Sequence, residues 1–108
     1  MNVTQIKDYV RGWFIGDFEP SLLKTKYFEV GLLTHKKGEY WSPHYHKESV
    51  EYNVLVMGKM TVQGKLLNSG DVFVFQKGEV ADPVFHEDCT LVVVKVPSIP
   101  YDKFEVEK

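Results

Sequence analysis

From residue 28 onward, hydrophobic and polar positions alternate in short runs separated by turn residues. Phe28, Val30 and Leu32 alternate with Glu29 and Gly31, the period-two pattern of a half-buried strand. Residues 40–46 alternate again, and residues 51–57 form a run rich in Val and Tyr that ends at Gly58. Further strands are predicted over 59–62, 71–75 and 90–96. Gln63-Gly64 and Asn68-Ser69-Gly70 supply the turns between them. The run 90–96 is almost continuously β-branched, which predicts a strand covered on both faces. Pro83 to Phe85 is predicted as an edge segment, because proline cannot donate to a central ladder. Helical periodicity is confined to 4–10, where Thr4 would cap and Gly12 would stop a short helix or an irregular arm. Short strands about ten residues apart predict an all-β sandwich or barrel.

Composition narrows the function classes. The chain has 108 residues, 44% hydrophobic and 26% charged, which suits one globular domain. Thirteen basic against fifteen acidic residues give a net charge of −2, so neither nucleic acid nor an anionic membrane is an expected partner. The single cysteine, Cys89, forms no internal disulfide, and a cytoplasmic location is expected. Acidic neighbours at Glu87 and Asp88 disfavour its thiolate, so it is read as inert.

The chemistry concentrates at His44 and His46. One residue apart on a strand, both imidazoles face the same side, together with Tyr40 and Ser42, while Trp41, Pro43 and Tyr45 face the other. Glu51 opens the next strand, and an antiparallel return would set it beside the pair. Two imidazoles and a carboxylate suit Fe, Mn, Ni, Co or Zn as divalent ions. Asn53 shares the face of Glu51 and, with Tyr40, is a candidate substrate contact. His35 lies in a polar turn and is read as a surface residue. Trp13, Phe14 and Phe18 are too apolar to be left in water, and are expected to pack on the outer sheet near Trp41 and Tyr45 or on a second subunit.

Gly38, His44, His46, Glu51 and Gly58 stand at the spacings of the first signature motif of the cupin superfamily, which the chain resembles over residues 28–97. The second motif is degenerate: Gly70 and Gly78 are in place, but Gln76 replaces a proline and Ala81 replaces the fourth ligand histidine. The resemblance implies a double-stranded β-helix, or jelly-roll barrel, over 28–97, with an N-terminal arm over 1–27 and a tail over 98–108. It also implies one site in the barrel mouth, a divalent transition metal and commonly a homodimer. His44, His46 and Glu51 would be the metal ligands. Asp82 is the first candidate for a fourth, because Pro83 could turn its carboxylate inward, and His86 is the second. The function expected is a mononuclear metalloenzyme acting on a small polar, sugar-related molecule by isomerisation, epimerisation or oxygenation. The alternatives are a module that binds a ligand or metal without turnover, and a metal-free enzyme with His44 as general base.

Overall fold

A computed structural model describes residues 1–107. Two 3-10 turns, Ile6–Asp8 and Val10–Gly12, occupy the stretch that the sequence leaves open between a short helix and an irregular arm. Arg11 takes a left-handed conformation with φ of 52°, which breaks any continuous helix there. Eleven strands follow among the described residues: β1 Trp13–Gly16, β2 Leu23–Lys24, β3 Glu29–His35, β4 His44–Tyr45, β5 Val50–Met57, β6 Lys59–Val62, β7 Lys65–Asn68, β8 Val72–Phe75, β9 Val84–Phe85, β10 Cys89–Val96 and β11 Phe104–Glu105. The large sheet runs β2-β1-β3-β10-β5-β8, a second sheet runs β7-β6-β9, and β4 pairs with β11. Every pairing is antiparallel except β1 with β2.

Leu55, Phe75, Leu91 and Val93 of the large sheet close on Met60, Val62, Leu67 and Phe85 of the smaller one. These side chains form one shared apolar core, the outcome expected for two amphipathic sheets packed face to face. Gly58 ends β5 because nothing larger fits: a Cβ there would lie 2.6 Å from the Asp88 carbonyl oxygen and 2.7 Å from Cys89 Sγ.

Register arranges the interior in rows. Lys95 of β10 lies opposite Glu29 of β3 and Glu51 of β5. Val93 lies opposite Gly31 and Asn53, and Leu91 opposite Leu33 and Leu55. Glu29 and Gly31 therefore face inward, whereas alternation alone would bury Phe28, Val30 and Leu32. The outer face of β3 is not bare, because Ile6, Tyr9 and Phe14 gather beside Leu32 and Val92 there. That cover lets valines and leucines occupy an outward face. Strand β10 is sealed on its inner side only; Val92 and Val94 are half-buried and Val96 is exposed. The large sheet already begins at Trp13, within the stretch expected to be an arm.

Candidate functional site

The polar end of the interior opens into a cavity of about 600 Å³, lined by His44, His46, Glu51, Asn53, Trp13 and Trp41 among others. That volume is in the range of small-molecule sites. Strand β4 is only two residues long, and its neighbours hold it in place. His44 exchanges two backbone hydrogen bonds with Ala81, of 2.7 and 3.0 Å, and β11 pairs along its other edge. The turn between His46 and Glu51 is gripped by Asp102. Its carboxylate accepts hydrogen bonds from the backbone N–H of Lys47, Glu48 and Ser49 at 2.9–3.0 Å. Burial pushes the Asp102 carboxyl up, but these three donors outweigh it and hold the group below the usual carboxylate range.

Both imidazoles are tethered through Nδ1. His44 Nδ1–H donates to the Ser42 carbonyl at 3.0 Å, and His46 Nδ1–H donates to the Asp102 carbonyl. A carbonyl only accepts, so Nδ1 carries a proton in each ring. The Nε2 of His46 lies 3.2 Å from Glu51 Oε1. Both ring nitrogens of His46 are therefore engaged, Nδ1 by the Asp102 carbonyl and Nε2 by the Glu51 carboxyl group. Asn53 Nδ2–H donates to the other Glu51 oxygen at 3.1 Å. Burial raises the Glu51 carboxyl, yet His46, Lys95 and Asn53 together bring it below its ordinary value. His44 differs. Burial, opposed by its bond to Ser42, lowers its pKa, so the ring is neutral at pH 7. Its Nε2 has no hydrogen-bond partner among the described residues and is left as a free lone pair.

Trp13 and Trp41 form walls of this cavity. Gly31 makes room for Trp13, since a Cβ there would lie 2.8 Å from the indole ring. Trp41 Nε1–H donates to Glu39 Oε2 at 2.6 Å, and the same oxygen lies 2.5 Å from His35 Nδ1. Alternation over residues 40–46 predicts that Trp41 faces outward. The regular strand begins only at His44, so the alternation of residues 40–46 does not hold before it. The polar turn around His35 predicts a surface residue. His35 is half-buried, stacks on Phe85 with ring centroids 4.4 Å apart, and lines the cavity, because β3 extends through it.

The structure brings together His44, His46, Glu51 and Asn53 and leaves the other candidates elsewhere. Asp82 Oδ1 accepts the backbone N–H of Gln63 at 2.7 Å, so Pro83 does not turn that carboxylate inward to serve as a fourth ligand. His86 is exposed and its Nε2 lies 2.5 Å from Thr61 Oγ1. Tyr40 is 78% exposed and does not line the cavity. Cys89 is buried, and burial together with Glu87 and Asp88 raises its thiol.

Sequence reasoning did not find Lys95, Lys103, Arg11 or Asp102. Lys95 carried a signal, since it shares the parity of Leu91 and Val93 in a strand whose interior face is apolar. Asp102, Lys103 and Arg11 carried none.

Ring centroids of His44 and His46 are 5.8 Å apart, and Glu51 is engaged by His46 and Asn53. Ala81 supplies no donor, and Lys95 and Lys103 bring positive charge to the same cavity. Among the described residues no group of three or more His, Cys, Asp or Glu side chains is placed to hold a metal. In this arrangement the residues do not fit a bound metal. The three groups share the cavity, but they do not converge on one point.

No family model matches the chain, and no curated protein matches it in sequence. Solved structures do match it in shape. An uncharacterized conserved protein with a double-stranded β-helix domain from Klebsiella pneumoniae subsp. pneumoniae MGH 78578 aligns over 100% of this chain and 99% of its own, with a TM-score of 0.70 and 18% identity. The fold is a double-stranded β-helix, shared in shape with a cupin-2 domain containing protein among the solved structures. The DMSP lyase DddQ from Ruegeria pomeroyi DSS-3 aligns over 87% of this chain and 49% of its own, with a TM-score of 0.72 and 14% identity. KdgF from Halomonas sp. aligns over 69% and 74%, with a TM-score of 0.62 and 21% identity. No helix of the chain, among its described residues, is long and apolar enough to cross a membrane.

Proposed function

We propose that this protein binds a small polar molecule in the cavity and moves a proton on it, with His44 as the general base. The observation that carries this reading is the state of His44: neutral, tethered through Nδ1, and offering an unpartnered Nε2 to a cavity of about 600 Å³. A neutral imidazole with a free lone pair is suited to accept a proton at neutral pH. In an isomerisation or epimerisation, Nε2 takes the proton from the carbon beside a carbonyl. The C–H electron pair moves into the new C=C bond, and the carbonyl π pair moves to oxygen. That oxygen gains negative charge on the side where Lys95 and Lys103 stand, and reprotonation returns the isomer. The His46–Glu51 pair is held by its own contact and by Asn53, and acts as a fixed polar floor. A neighbour of this fold named as a DMSP lyase supports an enzymatic reading.

Incubating the protein with small aldoses and ketoses in deuterated water tests the proposal. Deuterium is expected at the carbon beside the carbonyl, and His44→Gln should slow its uptake by about a hundredfold or more. Binding without any exchange would leave a ligand-binding module instead. A metal-centred site is the competing reading, favoured by the two tethered imidazoles, whose second nitrogens are the usual ligand atoms. It requires Glu51 to leave its present partners. Roughly one equivalent of transition metal in untagged protein, lost in His46→Ala, would establish that reading over the first.

A second copy of the chain is the partner we propose for the outer face of β5 and β8. Tyr52, Val56, Val72 and Val74 are exposed there as adjoining apolar groups. Sedimentation should show a dimer in the parent and a monomer in Val72→Lys.

A further inference from the structure

The cavity wall is cationic in a chain whose net charge is −2. Lys95 arrives on β10, Lys103 from the stretch between Asp102 and β11, and Arg11 from the second 3-10 turn, so three distant parts of the chain deliver positive charge to one opening. The Lys103 ammonium stands 4.2 Å from the ring centroid of Trp41, and that of Lys95 stands 4.9 Å from Trp13. Among the described residues no carboxylate oxygen lies within 4.0 Å of any of the three cations. Surface lysines do find partners, as Lys24 does with Glu19 and Lys36 with Asp88.

The acids nearest the cavity are already engaged. Glu51 is held by His46 and Asn53, Glu39 by His35 and Trp41, and Glu29 by the Ser98 hydroxyl at 3.2 Å. Burial first, then the charges of Lys95 and Arg11, lower the pKa of Lys103, against the opposing pull of Glu105 and Glu51. Like charges held together in a part-buried cavity repel, and an anion placed among them relieves that repulsion while forming charge-assisted hydrogen bonds.

We infer that the cavity selects a small organic anion, its carboxylate or phosphate seated among Lys103, Lys95 and Arg11 and its body between the indoles of Trp13 and Trp41. The inference rests on the cavity being a small-molecule site, and it adds the charge class of the molecule. An anionic end group would fix the orientation of the ligand in front of His44, since Trp41 lies 6.4 Å from the His44 ring, centroid to centroid.

The two tryptophans of the chain both line the cavity, so intrinsic tryptophan fluorescence reports on it directly. The experiment titrates the protein with glucuronate, glucose 6-phosphate and glucose, which share a ring and differ in charge. At least one of the charged sugars is expected to bind about ten- to a hundredfold more tightly than glucose. The charged sugar that gives the larger gain identifies carboxylate or phosphate as the group recognised. Lys103→Met should cut the preference by about tenfold, while Lys103→Arg and the surface control Lys65→Met keep it. A thermal melt confirms that each variant is folded, and Arg11→Gln, at an exposed position, provides a second loss of charge should Lys103→Met unfold. Equal binding of glucose and both anions would overturn the anion proposal and leave the small-molecule site standing. A preference that survives both charge removals would overturn the assignment to these cations. No response to any of the three sugars would also overturn it, and the deuterium-exchange assay judges the role of His44 independently.

Discussion

Three residues along β5 separate Leu55, sealed from solvent, from Glu51, which faces the cavity. Leu55 sits opposite Leu91 of β10, which has Leu33 of β3 on its other side. Glu51 sits opposite Lys95, which has Glu29 on its other side. The strands, parity and register are the same in both rows, so the backbone does not distinguish them. One row removes apolar surface from water and holds the sheets together. The other places charges in a half-dry space, where burial works against them and their partners must compensate. The difference separates the part of the barrel that stabilises the fold from the part that does its chemistry.

The largest effect that could break this comparison lies in the apolar row. Leu55→Ala should cost about 3–5 kcal/mol of folding stability, read from urea unfolding, because the site is sealed and cannot collapse freely. A loss below about 1 kcal/mol would mean that this row is not the stabilising one. Next comes Asp102, which holds the turn between His46 and Glu51. Asp102→Ala should cost about 2–3 kcal/mol and move the His46 ring resonances, since three charge-assisted contacts and the carbonyl tether depend on its position.

Gly31→Ala should cost about 1–2 kcal/mol by pushing the Trp13 indole aside, with a change in tryptophan fluorescence as its signature. Glu29→Gln gives the smallest effect, a gain of up to about 1 kcal/mol near pH 7, because burial disfavours the ionised carboxylate.

The two acids carry opposite pH signs. The folded pKa of Asp102 is depressed, so its contribution is present above the unfolded carboxylate range and lost as pH falls through the folded value. Glu29 has a raised folded pKa, so the native state binds the extra proton. Stability then falls as pH rises from the unfolded value through the folded one. Unfolding midpoints measured from pH 3 to pH 8 should show Asp102→Asn flattening the acid-side loss and Glu29→Gln removing the decline above it. The same sign in both variants would contradict the assignment.

Local pattern made much of this legible. The alternation in β5 sets Glu51 and Asn53 on one face, and the structure buries both. The spacing of His44 and His46 placed both imidazoles on the cavity, and Gly58 stands where a side chain has no room. Where alternation was read without its surroundings it misled. Trp41 and His35 turn inward because regular strand begins or ends at places that composition does not mark. Glu29 is buried because the N-terminal stretch covers the opposite face of β3, a fact about residues some twenty positions away.

The sequence by itself determined that the chain is all-β, which residues of each strand share a face, and that two imidazoles, a carboxylate and an amide lie along one wall. Those properties follow from a period of two residues, which neighbouring positions enforce. Tertiary structure alone decided that Asp102 tethers His46, that Arg11, Lys95 and Lys103 meet at one mouth, and that Asp82 serves Gln63 instead of the site. Contacts between distant residues depend on which strands pair and where the termini return, and no short-range pattern records that.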